Sequence, residues 1–291
     1  MLDSNDYVSN ITPAPRGDPS SQFMSRLGSA KHHSLVRITG GCANMSASDA
    51  WRMLGLFKEA FLGFQGALLV GATRMVDKAV LEDMPAAEAK NPLDILAYLN
   101  DHSPTVIGIT EAGPTIRENN DCVLLGVLGR SHSLNWHYRT GLVLVKRTPF
   151  DDPDDVAEDR LAVALQPRMD AVAVVDEQIS RASLWHDEAI VCCRIADVQR
   201  QQANWSTALV VYNGGEVTKY EARLVAEKQW PVILIQGSGR AADELAANQD
   251  FLGLSPNTIV CDLDSTSLRD ALIRTGSIVP PSEARMLHAV S

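Results

Sequence analysis

The chain has 291 residues, 45% of them hydrophobic, enough to bury a sizeable core in one large α/β domain or two small ones. Its formal net charge of −10 repels a polyanion, so nucleic acid is not an expected partner. The five cysteines, which include the adjacent Cys192 and Cys193, make neither a secreted disulfide pattern nor a C-x-x-C metal knuckle. No apolar stretch approaches the roughly 18 residues of a membrane span, and no basic-then-apolar leader opens the chain. The expectation is a cytoplasmic protein with reduced thiols and no metal.

Residues 1–30 are polar and rich in Ser, Pro and Gly, which predicts a loose arm ahead of a single domain over 31–291. From Ser34 to Ile38 an apolar run predicts a strand ending in Thr39-Gly40-Gly41, with Ser46 or Ser48 capping a helix to about Leu62. "GALLVGA", Gly66 to Ala72, predicts a buried strand, and Asn91-Pro92 opens a short helix toward Leu99. "TVIGITEAG", Thr105 to Gly113, reads as another strand ending at glycine. Short strands near Cys122 to Leu128 and Gly141 to Val145 flank "GRSHSLNWHYRT", read as a loop. The acidic run Asp151 to Asp159 reads as a solvated turn entering a helix.

The last half is clearest. Strands are predicted at Ala208–Tyr212, Val232–Ile235 and Thr258–Cys261, alternating with helices at Lys219–Lys228, Ala241–Asn248 and Ser265–Thr275. Alternation implies parallel pairing, and near-continuous Val, Ile and Leu implies a sheet covered on both faces. The fold class is therefore α/β, a Rossmann-like parallel sheet with helices on both faces. Such sheets bind ligands beyond the carboxyl ends of their strands. Thr39-Gly40-Gly41, Gly71, Gly113, Asn213-Gly214-Gly215 and Gly237-Ser238-Gly239 are each expected just after a strand, so one shared rim is expected.

Glycine lets the backbone approach a ligand closely, and a helix start adds unpaired N–H donors and partial positive charge. Gly237-Ser238-Gly239-Arg240 combines these features: Ser238 can cap the helix or donate to phosphate, and Arg240 supplies a charged fork. The plainer alternative has each glycine merely ending a strand, with Arg240 paired to Asp243 or Glu244. Asn44, Asn213 and Glu216 are candidates for ribose or base contacts, with Glu111 and Thr218 placed on the same rim. His132 and His137 sit beside Trp136, Tyr138 and Arg139, residues able to stack on a base or pair with phosphate. "WHDE", Trp185 to Glu188, lacks a ligand triad of known spacing and reads better as a helix start. No Gly-x-Ser-x-Gly elbow, His-Glu-x-x-His helix, Walker-type run or Gly-x-Gly-x-x-Gly fingerprint is present.

"YNGGEVTKYEARLVAEKQWPVILIQGSGRAADELA", with "ITGG" upstream and "SLNWHYRTGLVLV" between, resembles the SLOG superfamily, and more narrowly the branch shared by prokaryotic proteins and the N-terminal regions of melastatin-type TRP channels. The resemblance implies a Rossmann-like domain that binds a nucleotide-derived ligand such as ADP-ribose or another NAD-derived signal. It implies no obligatory cofactor, a homo-oligomer, and an effector or membrane-module partner in a bacterial defence or stress pathway. The superfamily also contains nucleoside monophosphate phosphoribohydrolases with the pattern Pro-Gly-Gly-x-Gly-Thr-x-x-Glu. Here Gly214, Gly215, Thr218 and Glu221 match that pattern, whereas Asn213 replaces Pro and Val217 replaces the third Gly. Glu221 is thus either the carboxylate that stabilises a ribosyl cation or an acid near a helix start. Non-catalytic binding is the favoured expectation, with glycosidic cleavage as the alternative.

Overall fold

The structure is a computed structural model, and it describes residues 19–41, 45–85, 97–98, 101–102, 109–129, 134–137, 142–145, 160–164, 169–175 and 184–280. In chain order the elements are α1 (Pro19–Gly28), β1 (Ser34–Gly40), α2 (Ala47–Ala60), β2 (Ala67–Gly71), β3 (Thr73–Asp77) and α3 (Lys78–Asp83). After a 3-10 turn at Ile109–Glu111 come α4 (Ala112–Glu118), β4 (Val123–Gly129), β5 (Leu134–His137), β6 (Leu142–Val145), β7 (Arg160–Ala164), β8 (Ala171–Val175) and α5 (Leu184–Gln202). The remainder is β9 (Ser206–Tyr212), α6 (Glu216–Glu227), β10 (Val232–Ile235), α7 (Arg240–Ala247), α8 (Gln249–Leu254), β11 (Thr258–Cys261) and α9 (Ser265–Arg274).

Seven strands form one parallel sheet in the order β11-β10-β9-β1-β2-β4-β8. β1 is central: it pairs with β9 from Ser34 opposite Ser206 to Gly40 opposite Tyr212, and with β2 through Leu35, Val36 and Arg37. From β1 the chain winds outward to β2, β4 and β8, then crosses back through α5 to β9 and winds the other way to β10 and β11. β1 and β9 therefore flank the switch point where strand order reverses, and in sheets of this kind the ligand crevice is expected there, beyond the carboxyl ends of the strands.

Alternating side chains of these strands build two cores. Leu35, Leu69, Leu209, Val211 and Leu234 pack with α1, α5, α6, α7 and α8 on one face. Val36, Ile38, Leu68, Val210 and Ile233 pack with α2, α4 and α9 on the other. Both faces are covered, which is why the strands read as continuous apolar runs. Ser46 closes a capping box at α2: its hydroxyl accepts from the Asp49 N–H at 3.2 Å, and the Asp49 carboxylate accepts from the Ser46 N–H at 3.4 Å.

Three expectations are corrected. Residues 19–28, expected within a loose arm, form α1, whose Phe23 and Leu27 are each only 1% exposed. The expected strand from Thr105 to Gly113 is instead a 3-10 turn at Ile109–Glu111 leading into α4, since Pro114 fits a helix first turn and cannot donate to a ladder; Thr105 to Gly108 lie outside the described residues. Residues 134–137, read as loop, form β5 of a second, antiparallel sheet ordered β3-β7-β6-β5, in which Leu134 to His137 pair with Val145 to Leu142. His132, Tyr138, Arg139, the acidic run and Asn91-Pro92 lie outside the described residues.

Candidate functional site

Three loops meet at the switch point. Gly41 follows β1, Gly214 follows β9 and Arg240 begins α7 after β10. A side-chain carbon built on Gly41 would stand 3.4 Å from Gly214 Cα and 3.9 Å from Arg240 Nη1, so these segments touch across the crevice. Thr39, on the last turn of β1, is buried beneath it, and Gly40 abuts Tyr212 and Ile109.

The backbone here is unusual. Gly214 and Gly239 have φ of +98° and +101°, and two residues that carry side chains also lie in the left-handed region, Asn213 at +52° and Arg240 at +42°. Left-handed conformations of non-glycine residues cost of order 1 kcal/mol and persist where surrounding contacts fix them. The fixing contacts are visible. The Asn213 N–H donates to Ser238 Oγ at 2.9 Å, and the Ser238 hydroxyl donates to the Ile235 carbonyl at 2.6 Å. The N–H groups of Ala241 and Ala242 donate to the carbonyls of Gly214 and Asn213 at 3.3 and 3.1 Å. The loops after β9 and β10 are thus laced into one unit.

The lacing sorts the predicted residues. Ser238 is committed to this internal network. The Gly237 N–H donates to Asp243 Oδ1 at 2.6 Å, and the Gly214 N–H donates to Asn213 Oδ1 at 2.8 Å. Neither α6, whose N-cap is Gly215, nor α7, whose N-cap is Gly239, has a side-chain cap; the Ala241 and Ala242 N–H groups of α7 are taken by the loop carbonyls, so the first turn of α6 is the helix start that brings backbone donors to the rim. Asp243 accepts from the Gly237 N–H, and Glu244 forms an ion pair with Lys219. Lys219 also donates to Glu216 Oε1 at 2.7 Å, and these two hydrogen bonds, first to Glu216 and then to Glu244, hold its ammonium above the usual lysine range.

Other predicted residues fall elsewhere. Thr218 is buried against Gly214, whose added Cβ would lie 2.4 Å from Thr218 Oγ1. Gly71 ends β2 and neighbours Thr110 and the carboxylate of Glu188, on the other side of β1 from β9. Glu111 is buried at 2% exposure. Gly113 lies within α4, where a Cβ would meet Leu124 and Val70 at 2.9 and 3.0 Å; it is a close-packing glycine against hydrocarbon and does not line the crevice. Asn44 lies outside the described residues.

Glu221 is the largest departure from sequence expectation. Its carboxylate is buried and held side-on by Arg37 of β1: Nε donates to Oε1 at 2.7 Å and Nη2 to Oε2 at 3.1 Å. Burial opposes the charge on Arg37, but the neighbouring Cys192, Glu221 and Glu188 outweigh it and raise the guanidinium further. Spacing alone does not identify Arg37, yet a lone charge inside the apolar run "SLVRITG" already demands a buried partner. No group of three or more metal-ligating side chains exists among the described residues, and no described helix is long and apolar enough to cross a membrane.

The fold defines a class: a doubly wound, Rossmann-like α/β protein with its strand switch point between β1 and β9. Residues 146–272 match the family model described as SLOG in TRPM, prokaryote, which supports a SLOG-superfamily assignment of the LSDAT type. Among solved structures it is similar to the molybdenum cofactor carrier protein of Chlamydomonas reinhardtii, at 14% identity over 85% of this chain and 100% of that one, with a TM-score of 0.45. It is also similar to the molybdenum cofactor binding protein of Rippkaea orientalis, at 15% identity over 86% and 100% of the two chains, with a TM-score of 0.42. No curated protein sequence matches the chain.

Proposed function

We propose that the crevice is the receptor site for a phosphate-bearing nucleotide, in the class of ADP-ribose and other NAD-derived signals, and that it binds without cleaving. The observation that carries this reading is the meeting of Gly41, Gly214 and Arg240 at the switch point. The uncapped start of α6 and one guanidinium converge there, and an anion gains from both kinds of donor. Phosphate oxygens would lie against Gly41, Gly215 and the first turn of α6, with Arg240 supplying charge. The Gly237–Ser238 segment serves the seat indirectly, by shaping the loop.

Binding is favoured over glycosidic cleavage because Glu221, the acid such cleavage would need at a developing ribosyl cation, has both oxygens engaged by Arg37 below the rim. In this reading the chain is a cytoplasmic, homo-oligomeric sensor with no obligatory cofactor, passing its state to an effector or membrane-module partner.

A thermal-shift series on the full chain with ADP-ribose, its cyclic isomers, NAD and AMP tests the proposal. A true ligand at a hundred times its Kd adds about 2.7 kcal/mol of stability. Arg240→Ala is expected to weaken binding by about 1.5–3 kcal/mol, the worth of a charge-assisted hydrogen bond, while the chain stays folded. No stabilisation by any of the four would reject the reading. Release of free base from a nucleoside monophosphate, lost in Glu221→Gln, would replace it with the phosphoribohydrolase alternative.

A further inference from the structure

The geometry points to a second role for the Arg37–Glu221 fork: it is a positioning brace that holds the first turns of α6 in register against the end of β1, and so sets the spacing between Gly41 and Gly214. This inference rests on the reading of the crevice as an anion seat, but its physical content concerns the empty protein.

The two side chains are 7% and 1% exposed, and the contact is a two-point, side-on fork. A buried ion pair adds little net stability, because removing both charges from water offsets their attraction, and apolar replacements of similar volume often do as well or better. What the fork adds is direction. Two parallel hydrogen bonds from a planar guanidinium fix both the translation and the rotation of the partner carboxylate. Arg37 lies three residues before Gly40 on β1, and Glu221 lies six residues beyond Gly215, so the fork spans the two elements that end in the facing glycines.

The apolar contacts of α6 with this core come from Ala222, Val225 and Ala226, which are buried, and Leu224, which is partly buried against the cluster; they bury area but carry no directional polar contact to β1. Cores of this kind lose uniqueness before they lose stability. Other anchors of these turns, Thr218 on Gly214, Lys219 on Glu244 and Tyr220 against the His186 ring, tie α6 to its own loop, to α7 and to α5 but not to β1.

Hydrogen exchange on the full chain tests this. In an R37M/E221L variant the thermal midpoint is expected to equal or exceed that of the parent, and amides of β9 and β10 should stay as protected as before. Amides of residues 213–219 should exchange at least about tenfold faster, the scale of a modest loss of local order. R37K, which keeps the charge but lacks the fork, should show the same loosening in weaker form, and E221Q should loosen the rim with the core intact, so the test survives if the double variant fails to fold. Rim amides exchanging at the parental rate in every variant would overturn the brace. So would rim and core loosening together, which marks the pair as merely structural. If the parent binds none of the four nucleotides yet its variants loosen only at the rim, the anion-seat reading falls and the brace stands.

Discussion

The carbonyl oxygen of Tyr212 occupies the space where a side chain on Gly40 would begin: a Cβ built on Gly40 would stand 1.9 Å from it, and 3.2 Å from Ile109 Cγ1. The first obstacle is backbone of the paired strand β9 and cannot swing aside. Gly40→Ala must therefore separate the ends of β1 and β9, and overpacking of this kind costs about 1–3 kcal/mol or more. The expected result is a thermal midpoint several degrees lower, read by calorimetry or far-ultraviolet circular dichroism. The adjacent Gly41→Ala is the control, because its Cβ would meet Gly214 Cα at an ordinary 3.4 Å and should leave the midpoint nearly unchanged. Equal midpoints for the two variants would contradict the strand-end geometry.

The contrast between those glycines also marks how far a sequence carries. The strands β1, β2, β9 and β10 are legible because two-sided burial forces nearly unbroken apolar runs, and glycine at their ends is the trace of the rim. Which glycine faces a ligand is not legible, since Gly113 and Gly41 look alike until Leu124 and Val70 are seen packed on the first. α1 escaped a compositional reading because Phe23 and Leu27, one helical turn apart, bury themselves within a polar stretch; the four-residue spacing was the available signal. Asn248 ends α7 as the spacing predicts, and its side chain, which accepts from the Phe251 N–H at 3.0 Å, also starts α8. The Arg37–Glu221 fork joins positions 184 residues apart, so nothing local could specify its partner.

The thiols offer a prediction independent of any ligand. Cys122, Cys192, Cys193 and Cys261 are all free and buried. Burial pushes the Cys122 and Cys261 thiols up to about 12 and raises Cys192 and Cys193 as well, since a thiolate in the core has lost its water. At pH 8 the native chain should therefore leave these four unmodified by a thiol reagent over a time in which denatured chain reacts fully. Peptide mapping by mass spectrometry distinguishes them from Cys42, which lies outside the described residues. Rapid native labelling of the 192–193 pair would mean that α5 does not pack on the sheet as described.

A last prediction concerns acid. Asp264 is the N-cap of α9, and its Oδ1 accepts from the N–H groups of Thr266 at 3.0 Å and Ser267 at 2.9 Å. These hydrogen bonds favour the carboxylate and hold its pKa below the ordinary 3.8, the bond from the Ser267 backbone being the largest cause. A group whose pKa is lower folded than unfolded contributes stability that is complete above the unfolded value and is lost as pH falls through the folded one. Asp264→Ala should accordingly lower the thermal midpoint at pH 7, where the cap is charged, and Asp264→Asn should restore most of the loss because a neutral amide oxygen still caps. Below pH 3.8 the gap between the parent and Asp264→Ala should narrow as the cap protonates. A gap that stays constant from pH 7 to pH 3 would show that the charge on Asp264 plays no part in holding α9.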